Sequence, residues 1–143
     1  MCDIPKLTGQ LCFPLYAASR KMIRAYRPHL DALGLTYTQY ITMMVLWEKK
    51  SVTVKDLGAA LFLDSGTLTP LLKSLEAKGY VRRARSKEDE RVLNVTLTDA
   101  GEALGGQAAL IPPKMAACVR LSPEDAAALQ RILNTVLEDE SHA

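Results

Sequence analysis

The sequence has few of the residues that build metal sites and no segment suited to a lipid bilayer. Its 143 residues include three cysteines, without a Cys-x-x-Cys pair, and two histidines far apart, which argues against a zinc site. No apolar run reaches membrane-spanning length, and no apolar segment follows Met1 as in a secretory signal. We therefore expect a cytoplasmic protein with no metal, cofactor or membrane partner. Its thiols should stay reduced unless their oxidation has a function.

The charged residues are unevenly distributed although their sum is small. The composition, 48% hydrophobic and 24% charged, is that of an ordinary globular domain, and the net charge of +2 indicates no particular partner. Between Arg82 and Arg91, however, five basic residues stand against three acidic ones. Such a cluster is either a solvated surface or a phosphate-binding element.

One cysteine, Cys12, lies where a helix is predicted to begin. Pro14 has no backbone N–H and is tolerated in the first turn of a helix, so it places the helix start close to Cys12. The positive end of the helix dipole favours the thiolate, which is the reactive form of cysteine. The alternative is a buried structural cysteine, flanked by Leu11, Phe13 and Leu15.

Apolar periodicity and helix caps predict a mainly helical chain with one short β-hairpin. Thr36 and Gln39 form a capping box before the second helix. Pro112 and Pro113 are predicted to interrupt the fifth helix. Helices are predicted over about 11–33, 40–47, 53–61, 65–78 and 99–110, then around Cys118 and from 123 onward. Strands are predicted over 80–85 and 92–97, joined by an exposed polar tip at 86–90.

The last helix carries an apolar stripe that is wide for the edge of so small a chain. The stripe consists of Ala126, Leu129, Ile132, Leu133, Val136 and Leu137. Such a surface either packs against a second chain or completes the core of its own chain.

Helix, short turn, helix and basic hairpin follow one another in the order of a winged helix-turn-helix. Small polar side chains at the start of the fourth helix could reach base edges in the major groove, and Lys73 lies where it could meet phosphate. These small residues are Ser65, Thr67 and Thr69. The basic residues of the hairpin suit phosphates and a narrow minor groove. They are Arg82, Arg83, Arg85, Lys87 and Arg91. Serine and threonine also cap helices, so the prediction of DNA binding depends on the ordered combination.

Several segments carry a resemblance to one family. The segment 89–98, Asp-Glu-Arg-Val-Leu-Asn-Val-Thr-Leu-Thr, is similar to the wing signature of the MarR family of dimeric transcription regulators. The segments 10–20, 35–40 and 63–73 resemble the organic hydroperoxide resistance repressors within that family. The resemblance covers essentially the full chain. It implies a winged helix-turn-helix dimer with interlocked N- and C-terminal helices, bound to a pseudo-palindromic operator in double-stranded DNA.

The resemblance also implies the organisation of the chain. Residues 1–143 would form a single domain, with a DNA-binding part over about 36–98 and a dimerisation part over about 8–34 and 99–140. Asp89, as part of the wing signature, would support the wing.

The same resemblance makes Cys12 the peroxidatic cysteine, which organic hydroperoxides oxidise to sulfenic acid. Tyr26 and Tyr37 match two tyrosines that hydrogen-bond the reactive cysteine across the dimer interface, and Tyr16 matches a third near it. Tyr16 also lies one helical turn after Cys12, so both share a helix face. Ordinary packing is the alternative for each tyrosine.

Cys118 resembles the resolving cysteine of two-cysteine members, whose partner subunit forms a disulfide with the oxidised sulfur. The alternative is a small apolar residue between Ala117 and Val119. Cys2 matches no known role.

The leading hypothesis is a homodimeric repressor, not an enzyme, that leaves its operator when organic or lipid hydroperoxides oxidise Cys12. A thiol peroxidase using Cys12 is a second hypothesis, although it leaves the basic hairpin unexplained. A third is a MarR-type repressor released by a non-oxidising phenolic ligand, with Cys12 lining the pocket.

Overall fold

The computed structural model describes residues 4–138, and Cys2 lies outside this range. In chain order the elements are α1 (Cys12–Asp31), α2 (Tyr37–Lys49), β1 (Ser51–Thr53), α3 (Val54–Leu61), α4 (Ser65–Ala77), β2 (Val81–Arg85), β3 (Leu93–Leu97), α5 (Asp99–Ala108), α6 (Ile111–Cys118) and α7 (Pro123–Glu138). The predicted mainly helical fold with a β-hairpin is confirmed. No helix within residues 4–138 is long and apolar enough to span a bilayer.

Local side-chain caps explain where the central helices begin. The Thr36 hydroxyl accepts a hydrogen bond from the Gln39 N–H while the Gln39 side chain accepts from the Thr36 N–H, so the predicted capping box is present. It starts α2 at Tyr37, three residues earlier than predicted. The side chains of Thr53 and Asp64 cap α3 and α4 by accepting the backbone N–H of Asp56 and of Thr67.

The core forms where α2, α3, α4 and the sheet meet. One face of α4 is apolar and buried, and it packs with Leu57 of α3. That face consists of Leu68, Leu71, Leu72 and Leu75. Burying each such side chain contributes roughly 1.5–3 kcal/mol. The core therefore fixes the orientation of α4 and leaves its opposite, polar face in solvent.

The sheet has three strands, one more than the sequence predicted. β2 and β3 form the expected antiparallel hairpin, with Val81 opposite Leu97 and Arg85 opposite Leu93. β1 pairs antiparallel with the other edge of β3, which gives the order β1-β3-β2. With three residues, β1 is too short to show a period-two pattern, so it was missed.

The interruption predicted at the two adjacent prolines is present. α5 ends at Ala108, two residues before the predicted end, and Pro112 and Pro113 lie in the first turn of α6, the short helix that follows. The N–H groups of a first helical turn have no partner in the helix, so proline costs little there.

α7 does not complete the core of its own chain. It contains no buried residue, and Leu129, Ile132 and Val136 are 39%, 51% and 55% exposed. Large apolar residues of α1, such as Phe13 and Leu15, are exposed as well. The apolar stripe therefore does not complete the core of its own chain, and packing against a second chain is the alternative that remains.

Candidate DNA-binding surface and thiol site

The four residues of α4 that were predicted to contact DNA all lie on its exposed face. Ser65, Thr67, Thr69 and Lys73 are exposed. The helix start is fixed by Asp64, whose carboxylate accepts the Thr67 backbone N–H at 2.7 Å. This hydrogen bond lowers the pKa of Asp64 below its ordinary value. The Thr69 hydroxyl donates to the Ser65 carbonyl at 2.8 Å, so its proton is used within the helix and its oxygen can still accept.

The β2–β3 hairpin, called the wing below (residues 81–97), is held by internal hydrogen bonds at its tip. Asp89 accepts the Arg91 backbone N–H at 3.1 Å and pairs with the Arg91 guanidinium at 3.1 and 3.2 Å. The guanidinium bonds, followed by the backbone bond, lower the pKa of Asp89. Arg85 donates to the Glu90 carbonyl at 3.2 Å. The geometry agrees with the supporting role expected of Asp89 and leaves Arg85, Lys87 and Arg91 exposed.

Arg83 differs from the other basic residues of the wing. Its guanidinium donates to Glu76 of α4 at 3.2 and 3.4 Å, and its backbone N–H donates to the same carboxylate at 2.8 Å. Its side chain is 21% exposed. Arg83 therefore ties the wing to α4, and its predicted contact with DNA would have to be made while it is held by Glu76.

Replacing Arg85 and Lys87 together by alanine is expected to reduce the salt dependence of DNA binding. Each phosphate contact contributes about 0.9 to the slope of log K against log salt, so the slope should fall by about two. Fluorescence anisotropy between 50 and 300 mM salt measures it. Lys114→Ala, an exposed charge on α6, is the control and should leave the slope unchanged. An unchanged slope in the double variant would remove these two residues from the DNA contacts.

Cys12 is exposed at the N-terminus of α1, as the position of Pro14 predicted. It is the first residue of the helix, and the preceding Leu11 provides no side-chain cap. Within the chain, the interpretation as a buried structural cysteine is therefore wrong. Cys118, the last residue of α6, is also a free and exposed thiol, so it is not a small residue of the core either.

Tyr16 shares its helix face with a partner that the sequence interpretation missed. Arg20 donates to the Tyr16 hydroxyl at 3.3 Å, and its guanidinium carbon lies 5.4 Å from the ring centroid. The spacing of four residues on a helix was the available signal.

Tyr26 and Tyr37 belong to an aromatic cluster that bridges α1 and α2. Their ring centroids lie 5.1 Å apart, and Tyr40 lies 5.7 Å from Tyr26 and 6.4 Å from Tyr37. Burial, and to a lesser degree the neighbouring phenols, raises the pKa of Tyr26 and of Tyr40. Tyr40 stands in an apolar stretch of α2, and nothing local distinguished it from a core residue.

The predicted thiol site is not assembled within one chain. Cys12 and Tyr26 are 14 positions apart on one helix. At 1.5 Å per residue this places them about 21 Å apart along the axis. The ring of Tyr37 packs against Tyr26 at a tilt, so Tyr37 is also far from Cys12 of its own chain. Only a second chain could bring these tyrosines to Cys12.

Two concave regions accompany these surfaces. A groove of ≈ 950 Å³ lies between α3, α4 and the part of the wing next to its tip, with Gly58, Phe62 and Val92 among its lining residues. A smaller one of ≈ 460 Å³ lies between α1 and the start of α2 and is lined in part by Arg27 and Tyr37. Within residues 4–138, no group of three or more His, Cys, Asp or Glu side chains is arranged to hold a metal ion.

Comparison with known proteins gives consistent matches. The family described as transcriptional regulator SarA/Rot matches residues 24–105. The chain is 47% identical over 136 residues to the organic hydroperoxide resistance transcriptional regulator of Bacillus subtilis, which covers 95% of this chain and 92% of that protein.

Solved structures of AbfR, a protein of Staphylococcus epidermidis, resemble the chain in two states. Reduced AbfR bound to DNA is 34% identical, with a TM-score of 0.79 over 95% of this chain and 93% of that one. Disulfide-formed AbfR is 37% identical, with a TM-score of 0.66 over 92% of each chain.

Proposed function

This chain belongs to the MarR family of transcriptional regulators, in the branch of the organic hydroperoxide resistance regulators, and from this premise we propose that it is a redox-sensing repressor. It releases operator DNA when an organic hydroperoxide oxidises Cys12. The observation that carries the proposal is the free, exposed Cys12 thiol at the N-terminus of α1, in a chain that also presents the polar face of α4 and a basic wing.

The working unit is a homodimer. α7 has no buried residue, and apolar side chains of α1 and α7 are exposed together, which supports mutual burial against a second copy. Two copies present two α4 helices and two wings to a pseudo-palindromic operator. Half-sites read in this way lie about 34 Å apart, or a multiple of that distance, because successive major grooves recur once per helical turn.

The first chemical step is attack of the Cys12 thiolate on the terminal oxygen of the hydroperoxide. A sulfur–oxygen bond forms and the oxygen–oxygen bond breaks. The sulfur is oxidised by two electrons to sulfenic acid, and the alkoxide that leaves takes up a proton to become an alcohol. Cys12 is the first residue of α1, and its exposure gives the oxidant access.

Tyrosine hydroxyls complete the site across the dimer interface. Tyr26 and Tyr37 of one chain donate hydrogen bonds to Cys12 of the other, since the helix length separates them within a chain. Tyr16 lies on the same helix as Cys12. Burial raises the pKa of Tyr26, so its phenol stays protonated near neutral pH and remains a donor. Donors of this kind favour the charged thiolate over the thiol.

The second step joins the two chains. The partner subunit's Cys118 thiolate attacks the sulfenic sulfur of Cys12, a disulfide forms, and hydroxide leaves and takes a proton to become water. Exposure of Cys118 supports this role. The chain superposes better on reduced, DNA-bound AbfR than on disulfide-formed AbfR. This difference fits a change in the shape of the chain when the disulfide forms.

A Cys118→Ser variant is expected to form no covalent dimer after treatment with cumene hydroperoxide, whereas the wild-type protein forms one. The variant lacks the thiol that would replace the sulfenic oxygen. Non-reducing electrophoresis with mass mapping of the linked peptides measures this. Cys2→Ser is the matched control and should dimerise like the wild type. A covalent dimer that persists in Cys118→Ser and disappears in Cys2→Ser would move the resolving role to Cys2.

The function itself is tested with a DNA duplex selected from a random library by the reduced protein. Cumene hydroperoxide should release this duplex, and dithiothreitol should restore binding. Sustained consumption of hydroperoxide with a dithiol, without any DNA bound, would instead point to a thiol peroxidase.

One observation favours a second candidate function, release by a phenolic ligand. The region of ≈ 460 Å³ beside Tyr37 falls in the size range of small-molecule sites and includes Arg27, which could pair with an acidic phenol. Release by salicylate in reducing buffer, in a Cys12→Ser variant, would support this alternative.

A further inference from the structure

Gln39 is a buried polar residue whose side chain joins two parts of the fold. It lies in the first turn of α2 and is 6% exposed. Its amide oxygen accepts from the Thr36 N–H at 3.0 Å and from the Lys78 ammonium at 3.2 Å. Its amide nitrogen donates to the Ser74 hydroxyl at 3.0 Å. One amide thus serves both as the helix cap of α2 and as a direct link to α4.

Lys78 extends the link to the end of α1. Its ammonium donates to the carbonyl of Gly34, in the turn between α1 and α2, as well as to Gln39. Gly34 has a φ of +68°, which holds the chain reversal that directs this carbonyl. The turn and the first residues of α2 are therefore both hydrogen-bonded to the C-terminal end of α4.

This network begins next to the aromatic cluster. Tyr37 is the first residue of α2 and lies two positions before Gln39, and its ring packs on Tyr26 of α1. A displacement of Tyr37 would move the first turn of α2, including the groups that hold Gln39. Because the amide is buried, its hydrogen bonds are not readily exchanged for water, and losing one leaves a polar group unpaired.

We infer that Gln39 is a positioning residue which couples the tyrosines of the thiol site to α4 through Ser74 and Lys78. The inference rests on the proposed function and deepens it, because it assigns the route by which oxidation at Cys12 reaches the DNA-binding face. In the reduced protein the network holds α4 in the orientation that fits DNA. When oxidation of Cys12 breaks its hydrogen bond with Tyr37, the first turn of α2 shifts, and the hydrogen bonds of Gln39 move α4 in the same direction.

Two other long-range polar contacts within residues 4–138 join different elements. The Glu76–Arg83 pair joins α4 to the wing without touching α1 or α2. The Lys50–Glu102 pair, 2.8 Å long, joins the end of α2 to α5, and both side chains are mostly exposed. An exposed pair of this kind contributes little to stability, which makes it suitable as a control.

The test compares DNA affinity before and after oxidation in a Ser74→Ala/Lys78→Met double variant. These changes cut the link on the α4 side and leave the Thr36–Gln39 capping box intact. The measured quantity is the ratio of Kd for the selected duplex between oxidised and reduced protein, with the oxidation of Cys12 verified by mass. This ratio should fall about two- to thirty-fold relative to the wild type, the range found for residues that carry coupling. Glu102→Gln should leave it unchanged.

A second pair of variants separates coupling from stability. Gln39→Glu can keep every contact, since the Ser74 hydroxyl can rotate to donate, and it should retain the wild-type ratio. In Gln39→Met the ratio of Kd between oxidised and reduced protein should fall as it does in the double variant. A ratio that stays at the wild-type value in the double variant, while its thermal stability or its basal affinity falls, would overturn the inference and leave Gln39 with a structural role. A wild-type ratio of one would instead mean that the proposed function has failed.

Discussion

A Cys12→Ser variant is expected to stay bound to its operator at hydroperoxide concentrations that release the wild-type protein. Serine has no oxidisable sulfur, so neither the sulfenic acid nor the disulfide can form. Within its own chain Cys12 is exposed and packs in no core, so the substitution should leave the fold of the chain intact. Exposed substitutions usually change free energies by less than about 0.5 kcal/mol, and the affinity of the reduced protein should stay within about two-fold of wild type.

The measurement is fluorescence anisotropy of the labelled duplex during titration with cumene hydroperoxide. Cys2→Ser and Cys118→Ser serve as matched controls because each removes one other thiol and keeps Cys12. Any release that remains in both controls, and is absent in Cys12→Ser, assigns sensing to Cys12. Normal release in the Cys12→Ser variant would contradict the assignment and move the sensing step to another oxidisable side chain.

The helix starts could be predicted because caps are local. Thr36, Thr53 and Thr98 each accept from a backbone N–H three positions later, and that spacing is visible in the sequence. β1 could not be predicted in this way. Its pairing connects Ser51 with Thr96, and a three-residue strand acquires its structure from a distant partner rather than from its own pattern.

The candidate sites were predictable to the extent that they depend on single helices. The exposed start of α4 and the position of Cys12 follow from caps and from Pro14. The partner of a charged side chain does not follow from such patterns. Arg83 stands among other arginines in the sequence, and only the packing of the hairpin on α4 brings it to Glu76. Likewise, Gln39 was recognisable as a cap, whereas its bond to Ser74 spans 35 positions.

The junction between the wing and α5 depends on a close approach that only glycine permits. Gly101 is buried in the first turn of α5, and its carbonyl accepts the indole N–H of Trp47 at 2.8 Å. A Cβ at this position would lie 2.3 Å from the Tyr80 carbonyl oxygen and 2.7 Å from Leu97. The Tyr80 carbonyl itself accepts from Thr98, so it cannot yield without loosening the base of the wing.

A Gly101→Ala variant is therefore expected to be strongly destabilised. Overpacking against a fixed backbone atom costs about 1–3 kcal/mol or more, which lowers Tm by on the order of 5–10 °C in a chain of this size. Gly106→Ala is the matched control on the same helix, because a Cβ there meets nothing within 4 Å. Alanine is the better helix former, so this control should keep or slightly raise Tm. Thermal unfolding followed by circular dichroism measures both, and equal Tm values would show that the Tyr80 carbonyl moves aside at little cost. If Gly101→Ala is destabilised as expected, its DNA affinity should fall as well, because the contact between Gly101 and Tyr80 holds the wing against the rest of the DNA-binding face.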